Sequence, residues 1–146
     1  MTLWFSHLGI CVSDLERSLH FYCGGLGFEQ VASHQVGEEF AALMEVEGVQ
    51  LESRMLRRDG ITIELLGFVA PGHTGDGSRR PINQLGLTHL SLRVDDVASV
   101  AATIEAYGGT VVRPTRTTFD LGGTRLDFVY CTDPDGVRIE LMDLPS

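Results

Sequence analysis

Two histidines and two glutamates, His7, Glu64, His89 and Glu140, occur in this 146-residue chain as a repeated pair. Glutamate follows histidine by 57 positions in the first pair and by 51 in the second. Two imidazoles and two carboxylates suit one first-row divalent ion (zinc, nickel, cobalt, manganese or iron) with positions left for water or substrate. A single histidine in a strand is more often a hydrogen-bonded core residue, and a single strand glutamate more often faces solvent. The symmetry of the four, rather than any one of them, points to metal. His20, His34 and His73 have no symmetric counterpart.

The elements that must position these residues follow from the pattern. Residues 3–12 (LWFSHLGICV) are apolar and rich in strand formers, so a strand is expected. Ser13-Asp14 caps a helix in which Leu15, Leu19 and Tyr22 recur at helical spacing until Gly24-Gly25 end it. Strand-like runs follow near 28–34, 38–46, 49–57 and 61–68, and the first half reads β-α-β-β-β. In ITIELLGF, alternation puts Ile61, Ile63 and Leu65 on one face and Glu64 on the other. In GVRIELMD, Val137, Ile139 and Leu141 share a face, while Arg138 and Glu140 take the other. Both carboxylates are therefore expected mid-strand, away from the aliphatic stripe. An ionised carboxylate there is costly without a cation or strong hydrogen bonds.

The segment 71–81 (PGHTGDGSRRP) is the clearest break, after which the pattern restarts. A strand is expected at 87–94, a helix capped by Asp95-Asp96 that runs to about Tyr107, and strands near 110–113, 123–131 and 137–142. The tight turn DPDG at 133–136 precedes the last strand. At an offset of 82 positions His7 meets His89, Val12 meets Val94, Asp14 meets Asp96 and Gly27 meets Gly109. The expected architecture is α+β: two βαβββ modules (about 1–70 and about 82–146, linker 71–81) forming a curved mixed sheet around a metal cleft. The glycines of 72–77 do not lead into a helix, so they read as a linker or lid rather than a phosphate cradle.

Composition narrows the function classes. The net charge is −9 and all 11 cations are arginines, a balance that disfavours nucleic acid. Arg57-Arg58 and Arg79-Arg80 are too short for a basic patch. No apolar run reaches the ~20 residues of a membrane span, and the first residues lack a leader pattern, so a cytoplasmic location is expected. Cys11, Cys23 and Cys131 are odd in number and lack CxxC spacing, which argues against disulfides and a thiolate metal site. All three read as structural, with Cys11 and Cys131 as small buried hydrophobes.

The stretches HLGICVSDLERSLHFYCGGLGF, GITIELL, GLTHLSLRVDDV and FVYCTDPDGVRIELMD resemble the vicinal oxygen chelate superfamily. That group includes glyoxalase I, methylmalonyl-CoA epimerase, extradiol dioxygenases and the bleomycin and fosfomycin resistance proteins. The resemblance covers nearly the whole chain as one such domain, 1–146, and DPDGxxIEL is its most specific piece. It implies paired βαβββ modules, metal ligands at His7, Glu64, His89 and Glu140, a small-molecule substrate and a homodimer. The His/Glu/His/Glu set is similar to glyoxalase I, whereas GLTHLSLRVDDVASVAATIEAYGG resembles the epimerase. Both imply proton transfer on a carbon beside a metal-chelated carbonyl, with Glu140 as the base and Glu64 as the second choice. Glyoxalases carry Lys or Arg two residues after the tyrosine of the FY pair, but here that position is Gly24. The leading expectation is a glyoxalase I-like lyase/isomerase acting on a thiol adduct. A methylmalonyl-CoA-type epimerase and a non-catalytic antibiotic-binding protein are the alternatives.

Overall fold

Two aspartates at matched positions start the two longest helical segments. Asp14 takes an extended backbone, and its carboxylate accepts a hydrogen bond from the Arg17 amide. Asp96 does the same for the amides of Ala98 and Ser99. Each satisfies donors that a helix end leaves without a partner. The computed structural model describes residues 1–144, which divide into two compact units at Gly75/Asp76.

The first unit contains β1 (Leu8–Val12), α1 (Leu15–Leu19), β2 (Glu29–Val36), α2 (Ala41–Met44), β3 (Gln50–Arg58) and β4 (Ile61–Ala70). After α1 the chain continues as a π-helix from His20 to Gly25. The sheet order is β1-β4-β3-β2, with β1 parallel to β4 and the other pairs antiparallel. Phe21, Tyr22, Leu56, Ile63 and Leu65 are fully buried in its core. Tyr22 packs edge-on against both Phe21 and Phe28.

The second unit contains β5 (Leu90–Arg93), α3 (Val97–Ala106), β6 (Thr110–Val111), β7 (Thr117–Leu121), β8 (Thr124–Thr132) and β9 (Arg138–Asp143). Its five-stranded sheet has the order β5-β9-β8-β6, and β7 also pairs with β8. Again the first strand is parallel to the last and the remaining pairs are antiparallel. Val97, Ala101 and Ile104 form the buried stripe of α3, over a core that includes Val129, Cys131, Ile139 and Leu141.

The α+β class is thus observed, with one mixed sheet in each unit. Four local expectations are corrected. The segment 38–46 is not a strand: Glu38–Phe40 forms a 3-10 turn that leads into α2. The Glu39 carboxylate accepts from the Gly37 amide at its start, and Ala41, Leu43 and Met44 are good helix formers. β1 begins at Leu8 and β5 at Leu90, so His7 and His89 stand at the entry to their strands, and Leu3, Trp4, Phe5 and Leu87 are exposed. β7 is an additional strand, joined to β8 by Gly122-Gly123. Both glycines have positive φ, as a two-residue hairpin turn requires. Cys11 is exposed, because it lies on the opposite face of β1 from the buried Ile10 and Val12.

Candidate metal centre

Strand register brings each histidine to its glutamate. Parallel pairing sets Gly9 opposite Glu64, two residues beyond His7. The same pairing sets Ser91 opposite Glu140, two residues beyond His89. The two units therefore place the pair by the same construction. In the first unit His7 Nε2 lies 3.0 Å from Glu64 Oε2, and in the second His89 Nε2 lies 3.5 Å from Glu140 Oε2. All four side chains are partly shielded, with exposures of 35% and 20% in the first pair and 27% and 19% in the second. A ligand arriving from solvent reaches them, while the carboxylates stay in a reduced dielectric that strengthens cation binding.

The other ring nitrogen of each histidine meets the hydroxyl of the preceding residue. His7 Nδ1 is 2.9 Å from Ser6 Oγ, and His89 Nδ1 is 2.9 Å from Thr88 Oγ1. Ser6 and Thr88 are themselves related by the offset of 82, so the orienting hydroxyl is part of the repeat. The carboxylates are supported differently. Ser53, fully buried in β3, donates to Glu64 Oε1 at 2.5 Å, so both oxygens of Glu64 are engaged. Glu140 receives the Ser91 hydroxyl at 2.8 Å on Oε2, the oxygen that also faces His89.

The DPDG turn fixes where β9 begins. Asp133, almost fully buried, accepts on Oδ1 from the amides of Asp135 and Val137, and its own amide bonds the Val137 carbonyl. Gly136 takes φ +85°, and a side chain there would sit 2.1 Å from the Gly77 carbonyl oxygen. This turn leads into the β8–β9 ladder, in which Thr132 pairs with Arg138 and Tyr130 with Glu140.

Each pair fits two neighbouring ligands of a divalent ion. Metal–ligand bonds of about 2.0–2.2 Å leave adjacent donor atoms about 3.0 to 3.5 Å apart, from octahedral to tetrahedral angles. The separations of 3.0 and 3.5 Å fall in that range. Among the described residues no three His, Cys, Asp or Glu side chains gather at one point. The four candidates stand as two pairs.

Cys23 and Cys131 are held as thiols. Burial and the charge of Glu105 push the Cys131 thiol up to about 11, and burial also raises Cys23.

The family model described as Glyoxalase/Bleomycin resistance protein/Dioxygenase superfamily matches residues 4–141. The chain belongs to this superfamily. One superfamily relative, a probable lactoylglutathione lyase of Synechocystis sp., is 30% identical over 99% of this chain and 98% of its own length. A 2-epi-5-epi-valiolone epimerase of Actinomyces sp. is 27% identical over 96% of this chain and 79% of its own. A solved glyoxalase family protein from Bacillus cereus shares the superfamily fold, with a TM-score of 0.81 at 20% identity, over 98% of this chain and 95% of its own. No helix of the described residues is long and apolar enough to cross a membrane.

Sequence reasoning found the four acid and imidazole groups but not their supports. Ser6 and Thr88 were visible as neighbours of the two histidines. Ser53 depends on the β3–β4 register, which the Asp59-Gly60 turn sets: both residues have positive φ and Arg58 pairs with Ile61.

Proposed function

We propose that this chain is a divalent-metal-dependent lyase or isomerase of the glyoxalase type, which moves a proton on a carbon beside a carbonyl of a small thiol-adduct substrate. The observation that carries the reading is the His/Glu pair built twice in one register. The relative named as a probable lactoylglutathione lyase supports it. His7, Glu64, His89 and Glu140 hold the ion, with the two pairs brought together from one chain or from two copies. A bound divalent ion supplies Lewis-acid polarisation of the substrate oxygens.

The protein's own groups divide the remaining work. With an ion bound, the Nδ1 protons of His7 and His89 would go to Ser6 and Thr88, which leaves each Nε2 lone pair for the ion it shares with its glutamate. Glu64, with Ser53 on one oxygen and His7 on the other, is a fixed ligand. Glu140 concentrates its contacts on Oε2, so Oε1 is the oxygen that takes and returns the substrate proton.

Methylglyoxal mixed with a panel of thiols, glutathione included, and protein loaded with nickel, cobalt or zinc tests this reading. Thioester absorbance is the expected outcome, and no product with any thiol would sink it. An epimerase is the second reading, supported by the Actinomyces relative. For that reading, solvent deuterium enters the α-carbon of a 2-methyl-branched acyl-CoA, and absence of exchange excludes this version.

A further inference from the structure

Arg138 opens β9 two residues before Glu140, and strand alternation places both side chains on one face. Tyr130 pairs with Glu140 across the ladder. Its ring centre lies 5.2 Å from the Arg138 guanidinium carbon and 5.7 Å from the His89 ring centre. The arginine is therefore built into the patch that holds the second His/Glu pair. The matching place in the first unit, two residues before Glu64, is Thr62, so the cation is not part of the repeat.

Its environment is unusual for a structural arginine. Arg138 is only 6% exposed. Nη2 donates to the Arg80 carbonyl at 2.7 Å, but the buried Nε has no acceptor. None of the ion pairs among the described residues includes Arg138. A buried cation with an unpaired donor is costly, and the face of one aromatic ring compensates only part of that cost. An oxyanion on the free edge of the guanidinium removes the remainder. The fork pairs edge to edge with either anion, but a guanidinium only 6% exposed has room for the smaller, planar carboxylate rather than a tetrahedral phosphate.

We propose that Arg138 anchors a carboxylate group of the substrate beside the His89–Glu140 pair. The proposal rests on reading that pair as part of the reaction centre, and it assigns the substrate class as small molecules bearing a carboxylate. Arg138 is then a specificity-determining residue, which binds an unreactive part of the substrate and so positions the reacting carbon.

The test is a titration of ¹⁵N-arginine-labelled wild-type protein, read at the Arg138 Nε–H signal. That signal is assigned by its loss in Arg138→Lys. Acetate is expected to shift it saturably at constant ionic strength, and inorganic phosphate at equal concentration to shift it less. No saturable shift with acetate, or a larger response to phosphate, overturns the proposal. A second arm separates it from the functional reading. In metal-loaded protein Arg138→Met is expected to raise KM about tenfold or more for a carboxylate-bearing substrate. Proton exchange with KM changed less than twofold removes the anchor and leaves the functional reading standing. A saturable acetate shift in protein that exchanges no substrate proton keeps the anchor and removes the functional reading.

Discussion

Ser53→Ala separates a ligand-holding hydroxyl from a merely structural one. Ser53 is fully buried, and its Oγ lies 2.5 Å from Glu64 Oε1. Alanine removes one oxygen atom and leaves almost no void, so the change is confined to the lost hydrogen bond. A bond to a charged acceptor contributes about 1.5–3 kcal/mol. If Glu64 is a ligand, most of that loss falls on the state in which its carboxylate is held toward His7 Nε2. Metal affinity is then expected to fall by about 10- to 100-fold, at 1.4 kcal/mol per factor of ten. The assay is competition for zinc or nickel against a chelator of known affinity, paired with thermal unfolding of the metal-free protein. Affinity within twofold of wild type, together with a lower melting temperature, would refute the reasoning and make Ser53 a core hydroxyl only.

Four further outcomes are expected. Gly136→Ala combines a left-handed backbone with a Cβ 2.1 Å from the Gly77 carbonyl oxygen. It should destabilise by about 2–5 kcal/mol, which lowers the melting temperature by roughly 5–15 °C in calorimetry. Asp96→Ala removes the acceptor for two amides at the start of α3 and should cost about 1 kcal/mol in urea denaturation, without changing metal affinity. In the native protein at pH 8, iodoacetamide should label exposed Cys11 before buried Cys131. The Cys131 thiol resists ionisation in the fold but not in the unfolded chain, so it binds more protons when folded. Stability should therefore fall as pH rises from about 9 towards about 11, and Cys131→Val should flatten that part of the profile.

The parts of the fold legible in the sequence are those with a local physical cause. Asp14 and Asp96 cap helices because short carboxylates reach the first free amides, and that signature was plain at both positions. The buried Ile63 and Leu65, with Glu64 between them, follow from period-two alternation. The expected strand at 38–46 gives way to α2 because Ala41, Ala42, Leu43 and Met44 are helix formers. The Gly122-Gly123 turn was equally local and Phe119 and Leu121 alternate with Thr118 and Asp120, yet this short strand is exposed along its whole length and has no buried face to mark it. The candidate residues themselves were legible through their duplication. Their supports were not, since Ser53, Ser91 and Tyr130 reach the glutamates only through strand register. Likewise Arg138 was visible on the face of Glu140, but its burial and orphaned Nε arise from packing that no local pattern encodes.

The central claim is that His7, Glu64, His89 and Glu140 form one metal site. Metal content and affinity of chelator-free protein, measured for wild type and for His7→Ala, Glu64→Gln, His89→Ala and Glu140→Gln, test it most directly. The expected result is one divalent ion per chain in the wild type, with affinity reduced at least tenfold by every one of the four substitutions. Wild-type affinity retained by variants in either pair, or a wild-type protein that binds no divalent ion, would contradict the account.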